Sequence, residues 1–120
     1  MRGAKVLSIA GLMVALAAPV GGETWLPLDG GQVGSALTAR VLGYADGTVQ
    51  EFKADGTTLF QTFWSLRHGL WKIEGERYCS QWPPGTDWAC YRVEREARGL
   101  DLRFVDEAGT VSAGRYMDLK

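Results

Sequence analysis

Cys79 and Cys90 are the two cysteines of the chain, and around them stand residues with some chemical potential. One histidine, His68, precedes them; carboxylates pair up at Glu74 and Glu76 and at Glu94 and Glu96. A Ser-His-Asp arrangement would have to recruit Ser65 or Ser80, yet no Gly-x-Ser-x-Gly nucleophile elbow occurs. His68 lies between Arg67 and Gly69, in what reads as a turn, where an exposed histidine needs no catalytic explanation. A metal centre needs several His, Cys or carboxylate ligands at matched spacing, and one histidine does not supply them. The glycines at 30, 31 and 34 do not match a dinucleotide fingerprint, and no phosphate-binding loop or haem-attachment run is present. The carboxylate pairs flank turns and read as solvated, as does the alternation of Arg92, Glu94, Arg95, Glu96 and Arg98. The expectation is no catalytic residue, no metal site and no cofactor.

One stretch has binding character, Trp82-Pro83-Pro84-Gly85-Thr86-Asp87-Trp88. Two indoles flank a proline-stiffened loop. Either one or both rings pack over a Cys79–Cys90 disulfide or close a barrel end, or the two form a lip that stacks a ligand or anchors a partner, as aromatic hot spots do. Trp82, Pro83, Pro84 and Trp88 are therefore the candidate contact residues.

The elements that hold this loop follow from compartment and pattern. Arg2 and Lys5 open the chain, Val6 to Ala18 is almost wholly apolar, and small residues follow through Gly22. That order is a secretory signal peptide, expected to span residues 1–22. Cleavage fits after Ala17 or after Gly22. The apolar run is too short to span a bilayer, which takes about 20 residues. The remaining domain, 23–120, is expected in the periplasm or outside the cell, with no stable membrane span after signal removal. In an oxidising compartment two cysteines imply one disulfide, Cys79–Cys90. Its loop of about 12 residues contributes roughly 3 kcal/mol in the loop-entropy model.

The whole chain carries 13 basic and 14 acidic side chains, and losing Arg2 and Lys5 leaves a formal charge of −3. A mildly acidic domain lacks the electrostatic footprint that phosphate backbones select, so nucleic acid is excluded as a partner. A domain of this size buries only about two-thirds of its unfolded surface. The 13 aromatic residues, all beyond Gly22, and the cross-link offset that shortage.

Asp29 with Gln32 three residues on predicts a capping box, and Val33, Ala36 and Leu37 then form the apolar face of a two-turn helix. From Arg40 the period changes to short β-branched and aromatic runs separated by turns. Strands are predicted over 40–44, 48–54, 57–64, 70–73, 77–82, 88–94, 100–104 and 110–119. Asp46-Gly47 and Asp55-Gly56 are hairpin turns, because glycine accepts the positive φ they demand. Leu59 and Phe63 on one face of the third strand, and Phe60 and Trp64 on the other, place that strand centrally. Residues 65–69 read as the next turn. About eight strands joined by hairpins predict a mainly β fold, an antiparallel meander forming a small closed or nearly closed barrel with a short N-terminal helix.

A direct Cys79–Cys90 pairing sets a register in which Tyr78 faces Tyr91, Ser80 faces Ala89 and Gln81 faces Trp88. Tyr78, Ser80 and Trp82 then share the core face with Ala89, Tyr91 and Val93. The disulfide lies on the other face beside Arg77 and Arg92, whose repulsion calls for a carboxylate such as Glu94 between them.

Gly69-x-Trp71-x-Ile73, Tyr78-Cys79-x-x-Trp82 and Cys90-Tyr91-x-Val93, with the preceding Asp-Gly-Thr hairpins, resemble a group of small exported proteins of Gram-negative bacteria, mainly alphaproteobacteria. The likeness covers about residues 28–106 and implies export, a disulfide and a β-fold without naming an activity. Gly69-x-Trp71 also looks like the Gly-x-Trp motif of lipocalins and other calycin-type barrels, although it falls mid-chain here. In size, single disulfide and projecting N-terminal segment the chain is similar in layout to the periplasmic inhibitors of secreted metalloproteases. These readings converge on a non-enzymatic exported domain that binds a small apolar ligand or an envelope protein. The alternatives are a protease inhibitor acting through residues 23–29 and a small enzyme.

Overall fold

The computed structural model describes residues 23–118. The predicted signal segment, 1–22, lies outside them. Asp29 sits in extended backbone, accepts from the Gln32 amide at 2.8 Å, and donates its own amide to the Gln32 side chain at 2.9 Å. This reciprocal capping box starts helix α1, Gly30–Leu37, whose buried side chains are Val33, Ala36 and Leu37. Among the described residues nine strands accompany it: β1 (Trp25–Pro27), β2 (Arg40–Tyr44), β3 (Val49–Phe52), β4 (Thr57–Gln61), β5 (Leu66–Glu74), β6 (Arg77–Gln81), β7 (Ala89–Glu96), β8 (Asp101–Val105) and β9 (Val111–Tyr116).

Strands β2 to β9 form an antiparallel meander that closes when β9 returns to β2, with Leu42 opposite Tyr116 and Tyr44 opposite Gly114. The result is a closed eight-stranded barrel with β1 as an additional strand. Two of its turns share one chemistry. Asp46 Oδ1 accepts from the Thr48 amide at 3.0 Å and hydroxyl at 2.7 Å, and Asp55 does the same for Thr57 at 2.9 and 2.6 Å. Gly47 and Gly56 then take φ of 89° and 92°, which only glycine adopts without strain.

Strand β7 organises the wall. Its first half pairs with β6 in the register expected from the disulfide, Tyr78 opposite Tyr91, Cys79 opposite Cys90 and Ser80 opposite Ala89. Its second half pairs with β8 on one edge. On the edge that β6 vacates, β1 takes over, setting Trp25, Leu26 and Pro27 opposite Glu96, Arg95 and Glu94. Cys79 and Cys90 form the disulfide, and Cys79 is fully buried.

Phe52 is the centre of the core. It meets Trp71 and Tyr78 edge-on at 5.8 and 5.6 Å and stacks on Phe104 at 6.5 Å. The helix shuts one end of the barrel. Its Val33 and Leu37 join Leu42, Phe52, Val93 and Leu102 in a single cluster. Gly30 abuts the carbonyl of Gly75 in the β5–β6 turn, Gly34 lies against Ile73, and Tyr116 donates its hydroxyl to Ala36 O at 2.8 Å. Among the described residues no helix is long and apolar enough to cross a membrane.

Several sequence expectations change. The third predicted strand stops at Gln61 rather than 64. Thr62 Oγ1 accepts from the amides of Trp64 at 3.2 Å and Ser65 at 3.0 Å, and this side-chain cap ends the ladder. Phe63 and Trp64 consequently project from the β4–β5 loop at 86% and 87% exposure instead of packing on two faces of a strand. Residues 66–69, expected as a turn, are strand, because β5 extends to pair Leu66 with Gln61. Strand β7 continues to Glu96 because β1 covers its edge. Glu94 does not separate Arg77 from Arg92. It pairs with Arg103, while Arg77 reaches Glu107 at 3.3 Å. Glu96 is not a solvated strand end either: it is 3% exposed and holds Arg98 Nε at 3.1 Å through both carboxylate oxygens.

Candidate functional site

The end of the barrel opposite α1 is open. It is ringed by the β2–β3, β4–β5, β6–β7 and β8–β9 loops and leads into a cavity of about 420 Å³. Aromatic rings of Tyr44, Phe60, Trp82, Tyr91 and Phe104 line its wall. Strand alternation puts them there. Tyr44, Phe60, Tyr91 and Phe104 are inward positions near the open ends of their strands and Trp82 directly follows β6, all one step above the filled layer of Phe52, Trp71 and Val93.

Beneath the rings lies a polar floor. Gln50 is 4% exposed on β3, between Thr48 and Phe52 on the same inward face. Its Oε1 accepts from the Tyr44 hydroxyl at 2.8 Å, and its Nε2 donates to Thr58 Oγ1 and to the Tyr78 hydroxyl oxygen, both at 3.0 Å. Thr58 passes its hydrogen to Glu51 O at 2.7 Å, and Trp82 Nε1 donates to Ser80 Oγ at 3.2 Å. Burial drives the Tyr44 hydroxyl far above its ordinary pKa of 10.0, with the neighbouring Tyr78, Tyr91 and Asp46 adding to the effect. Burial also raises that of Tyr78, against the polar side chains of Ser80 and Gln50, which pull it down. Both phenols therefore stay neutral at physiological pH. Asp46 at the mouth is the one charged group among the described lining residues. The Thr48 amide, followed by its hydroxyl, holds that carboxyl below its usual range.

The four candidate contact residues separate. Trp82 belongs to the cavity: it meets Phe60 edge-on at 5.9 Å and lies so flat over β5 that a Cβ on Gly69 would come within 2.6 Å of its ring. Trp88 faces outward, with Lys72 Nζ 4.3 Å above its ring, beside Cys90 on the disulfide face. Pro83 lies in an outer groove with Leu59, Leu66 and Leu70, and Pro84, joined to it by a cis peptide, is exposed. The two indoles thus stand on opposite faces of the β6–β7 hairpin and do not form one lip.

His68 is exposed on β5 opposite Leu59, in that outer groove, where its charged neighbours are Lys53 and Arg67. Glu74, Cys79 and Cys90 are the one ligand-like cluster of acidic and sulfur groups found among the described residues, but the two sulfurs are bonded to each other. Sequence reasoning put Tyr78, Ser80, Trp82 and Tyr91 on one inward face and missed Gln50 and Tyr44. The available signal was the alternation Thr48, Gln50, Phe52, which sets a glutamine on the same face as a core phenylalanine.

The fold and cavity define a class by architecture, a closed antiparallel β-barrel with one end plugged by a helix and the other open to a ligand-sized space. Comparison with protein-family models, with curated proteins and with solved structures finds no match.

Proposed function

We propose that the protein is a non-enzymatic binding domain that holds a small, largely apolar molecule in the open end of its barrel. The observation that carries this reading is the 420 Å³ cavity, whose aromatic walls and few buried polar groups have the make-up of small-molecule sites. Such sites run from about 300 to 1,000 Å³, so the ligand is of modest size. The disulfide favours an oxidising compartment, which supports a periplasmic or secreted location. An open-mouthed antiparallel barrel also agrees in outline with the calycin-type likeness of Gly69-x-Trp71.

The alternatives have less to stand on. An inhibitor acting through residues 23–29 needs that segment free, yet Trp25–Pro27 is paired with β7 and the Leu28 amide donates to Val93 O at 3.0 Å. An enzyme would need a base within reach of Ser80 or a tyrosine. The side chains bonded to Tyr44, Tyr78 and Ser80 include Gln50 and Trp82, neither of them a base, and the one carboxylate of the described lining, Asp46, is engaged by the Thr48 amide and hydroxyl.

Native mass spectrometry after incubation with 1-aminoanthracene tests the proposal. One molecule is expected to bind per chain, and Ser112→Trp, which fills the mouth, is expected to abolish the adduct. No adduct on the parent protein, or an undiminished adduct on the folded variant, would overturn it.

A further inference from the structure

The hydrogen-bond inventory of the cavity floor specifies the ligand further, on the premise that the cavity is a binding site. Gln50 has no hydrogen to spare. Both its amide hydrogens go to Thr58 and Tyr78, and its oxygen receives Tyr44. Because Nε2 donates to the Tyr78 oxygen, the Tyr78 hydrogen cannot be used on that bond and must point elsewhere. Ser80 is in the same position. Its oxygen receives the Trp82 N–H, and its own hydrogen is uncommitted. Tyr78 and Ser80 are 4% and 3% exposed, so neither hydrogen has bulk water as an easy partner. Both O–H groups border the cavity, where an unmet buried donor is costly unless an acceptor arrives.

The charges around the cavity narrow the choice. No Lys, Arg or His lines the described wall, and the Asp46 carboxylate at the mouth repels anions. The wall itself offers ring faces and edges from five side chains, suited to a flat aromatic partner. We infer that the ligand class is an uncharged planar aromatic molecule bearing a hydrogen-bond acceptor, such as a carbonyl or ether oxygen, which takes a spare hydroxyl hydrogen of Tyr78 or Ser80. The rings set its plane, and the hydroxyl pair sets which end goes in first.

Calorimetric titration with four naphthalenes of similar size separates the possibilities. They are 2-acetylnaphthalene, 2-ethylnaphthalene, 2-naphthoate and a naphthyl trimethylammonium salt. The ketone is expected to bind about fivefold more tightly than the hydrocarbon, the range of one net hydrogen bond, and the carboxylate more weakly than either. Ser80→Ala and Tyr78→Phe each leave one free hydroxyl hydrogen, so each retains the ketone's advantage. The double variant Tyr78→Phe/Ser80→Ala strands the Gln50 and Trp82 N–H groups in place of the hydroxyls, so its affinity for the hydrocarbon is read only as a check that the barrel is intact. Should the double variant fail to fold, the ranking on the unaltered protein still decides. Equal binding of ketone and hydrocarbon, or tightest binding of the carboxylate or the ammonium salt, would overturn the assignment and leave the cavity as a binding site. Failure of all four would overturn both readings together.

Discussion

Gln50 occupies a position that a barrel normally gives to an aliphatic side chain, and its neighbours explain why it is tolerated. Each amide atom meets a partner, so the burial penalty of the group is offset bond by bond. Removing one partner exposes the arrangement's dependence on protonated phenols. The Tyr44 pKa is raised in the folded protein, chiefly by burial, while the unfolded value stays near 10.0. Its contribution to stability is therefore complete below pH 10 and declines as pH rises above it, where the unfolded chain alone ionises. Denaturation midpoints followed from pH 8 to 12 should fall above 10, and less steeply in Tyr44→Phe. That variant should also be less stable at neutral pH by about 1 kcal/mol, the worth of one hydrogen bond. An equal alkaline decline in both proteins would refute the argument. Inward aromatic positions were legible from period-2 alternation. The role of Gln50 was not, because its partner Tyr78 comes 28 positions later and the pairing exists only once β3 and β6 share an interior.

Local chemistry made most elements legible. Asp29 and Gln32 have the spacing of a capping box and form one, and the Asp-Gly-Thr turns form where expected. The failures are equally physical. Nothing in Thr57 to Trp64 marks its end, since the terminating cap comes from the Thr62 hydroxyl turning back on its own loop. Nor does Trp25-Leu26-Pro27 look like a strand by itself. It becomes one because the far end of β7 has a free edge, about 70 residues away in sequence. The β6–β7 hairpin carries the element-level prediction. The disulfide constrains the unfolded chain, so Cys79→Ala/Cys90→Ala should lower the unfolding free energy by roughly 3 kcal/mol in denaturant titrations. A change below about 0.5 kcal/mol would show that the hairpin keeps its register without the bridge.

Closure of the whole barrel depends on its last strand finding its first. Beyond the β2–β9 ladder, Arg40 grips Asp118 with Nε at 3.0 Å and Nη2 at 3.1 Å, and stacks on Tyr116 with its guanidinium 3.9 Å from the ring centre. Arg40's hydrogen bond is the main reason the Asp118 carboxyl titrates below its ordinary 3.8. A depressed folded pKa contributes stability that is present above the unfolded value and lost as pH falls through the folded one. Stability should consequently drop below pH 4, and Asp118→Asn should flatten part of that drop. Hydrogen exchange would show the loss first in the β2–β9 amides. Exchange that instead begins at β6–β7 would place the weak seam elsewhere.

The dispersal of the five tryptophans has an optical consequence. Trp71 is packed in the core, Trp82 borders the cavity, Trp25 lies 4.4 Å from the Arg103 guanidinium, Trp88 carries Lys72 outside, and Trp64 stands in solvent. The emission spectrum is thus a sum of blue-shifted and red-shifted parts with separate causes. An aqueous quencher such as iodide should remove the red edge contributed by Trp64 and leave the blue component. An occupant of the barrel mouth should do the reverse, altering Trp82 while Trp64 continues to emit, so filling of the interior can be read by colour without a label.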